Sequence, residues 1–377
     1  MKLACFPCEI QHREFDSKLL LAMRIVSKTK GDCAVLIGYD KYFSPILKSI
    51  KSVFLLDKSM STIMYNGRIK PCKLNGGIVF INDEEGVNDL DETPEVLDIR
   101  LDSKAINSID KYLAWGEDDL NFFASRKNGL ASKIVITGSH RSDLLNQIGK
   151  ELYQDDIAAI KTLFGSFVLF NDNLMVDHYD KSYVPPTNLY DADSHSQAKA
   201  EREWNDLISE HTERREKVRL FISDLAKNNF NVVIRPHPVH DSIFWHENFR
   251  LTSRVHTIYQ GSVEPWIHAS DAVITTGCTT GLQAALANKP SFELPVTANS
   301  KAFSTSVLPK CHSVADLSSQ SLKLASDYFY THQSKIKKRW FTCESSTELM
   351  SELIINHLNL LNSQSSFDWL QNIPRLQ

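Results

Sequence analysis

At 377 residues, 42% hydrophobic and 23% charged, the chain is too long for one ordinary core and reads as a soluble globular protein of two domains. A formal net charge of −4 argues against a broadly basic nucleic-acid-binding face. No window approaches the roughly eighteen apolar residues that span a bilayer, and seven scattered cysteines suit a reducing compartment better than a disulfide scaffold.

Strand and helix signals alternate from the start. Leu3 to Phe6 reads as a short strand. Phe15 to Ser27 has the i, i+3, i+4 apolar spacing of a helix. Cys5-Phe-Pro-Cys8 has the spacing of a dithiol motif, but it lies on a strand rather than at a helix start, so redox or metal use is a minor reading. The charged residues that follow leave no apolar core for a signal peptide, which points to the cytoplasm. Asp32 to Gly38 is a buried strand, Phe43 to Ile50 a helix and Ser52 to Leu56 a strand. Gly77 to Ile81 is a strand that runs into the acidic tip Asp83-Glu84-Glu85-Gly86. Two more strands, Lys111 to Trp115 and Lys133 to Thr137, each end at a glycine and complete a doubly wound domain over 1–160.

A second domain, 166–335, opens on the strand Ser166 to Phe170. A polar segment follows from Asp172 to Ser196, and then a long charged helix from Gln197 to about Asn228. Strands follow at Val232 to Arg235, Val255 to Tyr259 and Ala272 to Thr275, with a helix from Gly281 to Ala287. The C-terminal 336–377 reads as helices packing back on the first domain. The charge run Glu213-Arg-Arg-Glu-Lys217 reads as a solvated helix face, with anionic lipid head groups as a second reading.

Two motifs carry the chemistry. Val232-Val-Ile-Arg-Pro-His-Pro238 and Asp271-Ala-Val-Ile-Thr-Thr-Gly-Cys-Thr-Thr-Gly281 both run from an apolar β-branched stretch into polar residues and glycine. Open α/β sheets bind ligands at the carboxyl ends of their strands. Alternation sets Arg235 and His237 on one strand face. The threonine block offers hydroxyls and free N–H groups at a helix start, a site for phosphate. The expected nucleotide-sugar contacts are therefore Arg235, His237, Pro238, Thr276, Gly277, Cys278, Thr279, Thr280 and Gly281.

Taken in order, several stretches resemble bacterial surface-carbohydrate biosynthesis proteins and, more distantly, the retaining β-Kdo transferases of capsule and O-antigen assembly. They are Glu9 to Ala22, Asp83 to Gly86, Tyr112 to Glu117, Thr137 to Leu145, Phe167 to Asn173, Arg235 to Pro238 and the threonine block. The resemblance implies the GT-B fold: α/β, two doubly wound Rossmann-like domains facing across a cleft. It also implies a CMP-activated Kdo or related ulosonic acid as donor, and a glycan acceptor carried on a lipid. Glu85 then stands as the base, with Glu84 second and Glu117 third. A carboxylate after the first strand of the second domain would hold the glycosyl adduct, either Asp177 or Asp172. His237 would meet the donor's CMP.

Arg13 and Arg141 follow first-domain strands and would bind a carboxylate or an anionic acceptor, or else pair with neighbours such as Glu9 and Asp143. Neither a cofactor nor a metal is expected, nor nucleic acid as a partner; a peripheral place at the inner membrane fits a lipid-linked acceptor. The rivals are a CDP-polyol phosphate transferase, a UDP-sugar enzyme of the same fold, and a non-catalytic subunit of a polysaccharide assembly complex.

Overall fold

The computed structural model describes residues 1–84, 101–126, 129–173, 194–237, 243–296, 307–318, 335–336, 338–340 and 345–362. They form two compact units, Met1–Leu152 with His332–Gln377, and Tyr153–Thr331.

The first unit is built on a six-stranded parallel sheet: β1 (Lys2–Cys8), β2 (Cys33–Tyr39), β3 (Val53–Asp57), β4 (Ile78–Ile81), β5 (Lys111–Ala114) and β6 (Ile134–Ile136), in the order β2-β1-β3-β4-β5-β6. Both faces of its inner strands β1, β3, β4 and β5 are buried, as a parallel sheet covered by helices requires. Leu3 and Cys5 enter one apolar cluster with Phe43, Leu55 and Ile81, while Ala4 and Phe6 enter another with Leu21, Ile25 and Phe54. Cys5 and Cys8 therefore lie on opposite faces of β1, which rules out their pairing as a dithiol. Burial pushes both thiols up, that of Cys8 to about 12.

Helix α1 (Gln11–Lys28) starts four residues earlier than its apolar spacing suggests. Its buried stripe is Glu14, Ser17, Lys18, Leu21, Ala22 and Ile25, polar in the first two turns and apolar afterwards. That stripe meets the C-terminal helix α2 (Ser346–Leu358), whose Met350, Ile354 and Leu358 share the cluster of Leu21 and Ile25. Asp143 holds the start of α2: its carboxylate accepts from the N–H groups of Ser346 and Thr347, at 2.9 and 3.0 Å, and from the Ser345 hydroxyl at 2.7 Å. Another C-terminal piece docks at Trp115-Gly-Glu117, where Trp115 and Trp340 ring centroids stand 4.6 Å apart.

The second unit carries a five-stranded parallel sheet: β7 (Val168–Asn171), β8 (Val232–Arg235), β9 (Val255–Thr257), β10 (Ala272–Thr275) and β11 (Ser291–Glu293), in the order β11-β10-β7-β8-β9. Its helices include α3 (Gln154–Phe164), α4 (Ser194–Lys227), α5 (Ile243–Phe249) and α6 (Thr279–Leu286). Two boundaries differ from the sequence expectation. The units divide at 152/153 instead of about 160, because α3 goes with the second unit. Helix α6 begins at Thr279, two residues before Gly281, so the last threonines of the block lie inside its first turn. Among the described residues no helix is long and apolar enough to cross a membrane.

A Cβ added at Gly116 would stand 2.2 Å from the Lys338 carbonyl oxygen and 2.8 Å from that of Arg339, both backbone atoms. Gly116→Ala should displace this C-terminal piece and cost about 1–3 kcal/mol, the usual range for overpacking. Urea unfolding would show it as a lower midpoint with the slope unchanged.

Candidate functional site

Each sheet reverses strand order next to its first strand, and in open α/β folds ligands bind at the carboxyl ends beside such a reversal. In the first unit this point lies between β1 and β3. In the second it lies between β7 and β10.

The carboxyl edge of the first sheet is organised around one buried ammonium. Lys18 Nζ donates to the Pro7 carbonyl at 2.7 Å and to Glu14 Oε2 at 2.8 Å, and lies 3.0 Å from Glu84 Oε1. Glu14 in turn accepts the N–H groups of Glu9 and Ile10, at 3.0 and 3.3 Å, which serves α1 as a cap. His140 Nε2 lies 3.2 Å from Glu84 Oε1, and its Nδ1 lies 2.8 Å from Ser17 Oγ. Arg141 Nη1 donates to the Glu84 carbonyl at 3.4 Å.

Burial works to raise the Glu84 carboxyl, but Lys18, His140 and Arg141 outweigh it and hold it well below the usual range. For Lys18, burial works to lower the ammonium, and Glu84 and Glu14 reverse that and raise it. Beside this cluster is a cavity of about 190 Å³ lined by Arg13, Lys58, Ser59, Asp83 and Glu84 among others. Lys58 is paired with Glu9, and Arg13 lies 3.2 Å from Glu14 Oε1 and 3.9 Å from Glu9 Oε2.

These positions change several sequence expectations. Glu84 is a poor base: its side chain is 2% exposed and its carboxylate is held by Lys18 and His140. Arg13 takes the alternative of a local ion pair. Arg141 is buried against the Glu84 backbone, and Asp143 caps α2 instead of pairing with it. Glu117 is exposed in the first turn of helix Glu117–Arg126. Glu85 lies outside the described residues.

At the second edge, the register sets Asn171 beside Thr275, so the residues after β7 and β10 leave the sheet together. Asn173 Nδ2 donates to the Thr276 carbonyl at 3.2 Å, and the Thr276 hydroxyl donates to Asn173 Oδ1. Arg214, from α4, donates to the same carbonyl at 3.2 Å. Gly277 has φ +97, a left-handed conformation that favours glycine, and it turns the chain into α6. Cys278 is the N-cap and supplies no side-chain cap, so its side chain leaves the positive end of α6 uncapped among the described residues. Thr280 Oγ1 is buried there without a hydrogen-bond partner among the described residues. Gly281 has a packing role: a Cβ would stand 2.7 Å from Leu308 Cδ1 and 3.0 Å from Thr275 Oγ1.

Not all of the expected set is directed at this point. Arg235 is buried and donates to the carbonyls of Gln260, at 2.8 Å, and Gly261, with its guanidinium 5.4 Å over the Trp266 ring. Burial pushes it down to about 10. It ties the end of β8 to a neighbouring loop, while His237, two residues on, is half-buried. Asp172 has a 1% exposed side chain; it accepts the Trp245 indole N–H at 2.9 Å and lies 3.8 Å from Arg215 Nη2. A carboxylate so enclosed has no surface from which to reach an anomeric carbon, so it serves as an internal anchor. Asp177 and Pro238 lie outside the described residues.

Sequence reasoning missed Arg214, Arg215, Lys18, Ser17 and His140. Arg215 falls on the buried stripe His211, Arg215, Val218, Ile222 and Leu225, so helical spacing was a signal for it, while Glu213, Glu216 and Lys217 of the same run are exposed as the solvated-face reading expects.

Neither a protein-family model nor a curated protein matches the chain. Solved structures do. The wall teichoic acid polymerase TagF with CDPG superposes with a TM-score of 0.58 at 10% identity, covering 95% of this chain and 89% of that one. The S. aureus MnaA–UDP structure gives 0.57 at 15%, covering 97% and 100%. The UDP-GlcNAc 2-epimerase from Neisseria meningitidis with UDP-GlcNAc gives 0.52 at 13%, covering 94% and 100%. The fold is GT-B. At these identities the likeness speaks for architecture alone, two parallel-sheet Rossmann-like units, and leaves substrate to the residues.

Breaking the buried cluster should be costly. Lys18→Met removes the cation that the buried carboxylates of Glu14 and Glu84 share and should destabilise the first unit by about 3–5 kcal/mol in urea unfolding. Glu14 and Glu84 are both held below their ordinary pKa, so their contribution is in place above about pH 4.3, the unfolded value, and is lost as pH falls through the folded values. Unfolding at a series of acidic pH values should show this loss in the wild type and a smaller one in Glu84→Gln. Asp172→Asn tests the anchor reading: it should lower the unfolding midpoint while the folded fraction keeps its turnover.

Proposed function

We propose that this chain is a GT-B transferase of bacterial surface-carbohydrate assembly that takes a nucleotide-activated donor at the β7/β10 reversal of its second unit. The observation that carries this reading is the N-terminus of α6, without a side-chain cap, with the Thr276-Gly277-Cys278-Thr279-Thr280 turn and Arg214 beside it. N–H groups, the helix dipole and a guanidinium together suit a phosphate that gains charge as it leaves. The donor is a CMP-linked ulosonic acid, Kdo or a relative, and the acceptor a lipid-linked glycan on the cytoplasmic side, where the protein works peripherally at the inner membrane. No metal is required, because cationic and N–H groups meet the phosphate. Glu85 removes the acceptor proton, Asp177 carries the glycosyl adduct and His237 receives CMP.

The likeness to TagF with CDPG and to MnaA with UDP favours a second reading on the same cradle, transfer from a CDP-polyol or use of a UDP-sugar. Calorimetry with CMP, CDP, UMP, UDP and GDP, with and without magnesium, separates the two. The first reading expects tight, metal-independent binding of CMP; a preference for CDP or UDP moves the assignment to the second, and no binding at all removes both. Arg214→Ala should weaken the preferred nucleotide about 10–100-fold, equal to about 1.4–2.8 kcal/mol. His237→Ala should weaken CMP as well, and unchanged affinity would take His237 out of the site.

A further inference from the structure

The donor cradle lies in the second unit, which leaves the cavity of about 190 Å³ in the first without a role. Three strand ends meet there. Lys58 and Ser59 follow β3 directly, Asp83 and Glu84 follow β4, and Arg13 stands in the first turn of α1, just after β1. This is the β1/β3 reversal, where open α/β sheets take ligands. The cavity is smaller than the roughly 300–1,000 Å³ of whole-ligand sites, so it admits one group about the size of a single sugar. Its charged groups are held unequally. Glu84 is committed to Lys18 and His140. Arg13 Nη2 and Lys58 Nζ both pair with a single oxygen, Glu9 Oε2, the former at 3.9 Å. Glu9 is not among the described residues that line the cavity, and its side chain is 44% exposed. Its backbone N–H is fixed on Glu14 Oε2, so the side chain can turn into solvent without moving the chain. An ion pair to a carboxylate this exposed is weak and readily exchanged. Ser59 Oγ accepts the Ser61 N–H at 3.2 Å and Ser61 Oγ accepts the Met64 N–H at 3.3 Å, which leaves each hydroxyl its own proton to donate.

We propose that this cavity is a subsite for the carboxylate of a sugar acid, and that Glu9 competes with the ligand for Arg13 and Lys58. The one oxygen on which both cations converge shows that together they already hold a carboxylate. A ligand carboxylate replaces it like for like and leaves the local charge as it was. A phosphate dianion would bring a second negative charge beside Asp83 and Glu84, which opposes it. The serine hydroxyls and Asp83 on the remaining wall suit the hydroxyls of a sugar. The preference for a sugar acid comes from these groups alone. That it is an acidic residue of the acceptor glycan rests on the transferase reading.

The test titrates glucuronate, glucose and inorganic phosphate into the full chain by calorimetry, as wild type, Glu9→Gln and Lys58→Met. Glucuronate should bind at least tenfold more tightly than glucose or phosphate. Glu9→Gln should tighten glucuronate at least threefold, because the competing carboxylate is gone, and Lys58→Met should weaken it at least tenfold. A Glu9–Lys58 pair with a structural role alone would not move the two variants in opposite directions. Glu9 is half-exposed, so Glu9→Gln should keep the wild-type unfolding midpoint, and its result decides the proposal even if Lys58→Met fails to fold. Glucuronate that binds neither wild type nor Glu9→Gln, or binds both equally, overturns the proposal, as does glucose or phosphate binding as tightly as glucuronate. Nucleotide affinity belongs to the second unit and is read separately in the same samples, so failure of the donor reading and failure of this one are told apart.

Discussion

An ammonium ion removed from water is tolerated only if every one of its protons finds an acceptor and its charge is matched. Lys18 approaches both conditions with contacts from three parts of the chain: hydrogen bonds to the end of β1 and the first turn of α1, and an ion pair with Glu84 after β4. The same bonds that make its burial tolerable fix where α1 starts, how β1 ends and which way the acidic tip after β4 turns. His140, brought by the segment after β6, closes the set through Glu84 and Ser17. Rigidity at this edge follows from the cost of leaving any one member unpaired. The same bonds explain why Glu84 is unsuited to taking a proton, since a carboxylate stabilised in its charged form is a weak base.

The second unit treats its cations differently. Arg235 is directed at two backbone carbonyls and Arg215 at Asp172, so both are internal ties. Arg214 is only partly committed: one N–H reaches the Thr276 carbonyl, and its pairing with Glu210 spans 3.7 Å to a half-exposed carboxylate. Burial lowers its pKa, which marks a charge with incomplete compensation. An anion arriving at the start of α6 would complete it. Among the described residues, one edge pairs its charges within itself, while the other sets Arg214 beside a helix start that has no side-chain cap.

The strands were legible because parallel strands buried on both faces read as short apolar runs ending in glycine or polar residues, and β1, β4, β8 and β10 all do. The threonine block was legible as a helix start for the same reason. What the pattern does not encode is the direction a side chain takes after its strand ends. Asp172 and Glu84 sit where reactive carboxylates would be expected, yet each turns inward to a cation supplied by a distant helix. Arg215 was misread because charge suggests solvent, although its place on the apolar stripe of α4 pointed inward. The division at 152/153 falls one helix earlier than expected, because α3, which leads directly into β7, belongs to the second unit.

The capping of α2 by Asp143 has a consequence for biosynthesis. The first unit is discontinuous: α1 packs on a helix more than 300 residues downstream, and Arg24 and Lys28 pair with Glu348 across that interval. The second unit, by contrast, is one uninterrupted segment. On a ribosome that releases the chain from its N-terminus, the face formed by Leu21, Ala22 and Ile25 stays uncovered until α2 emerges. The inserted unit then has its whole sequence available while its host still waits for α2. Until that helix arrives, the exposed apolar face of α1 is the part of the nascent chain most in need of a chaperone.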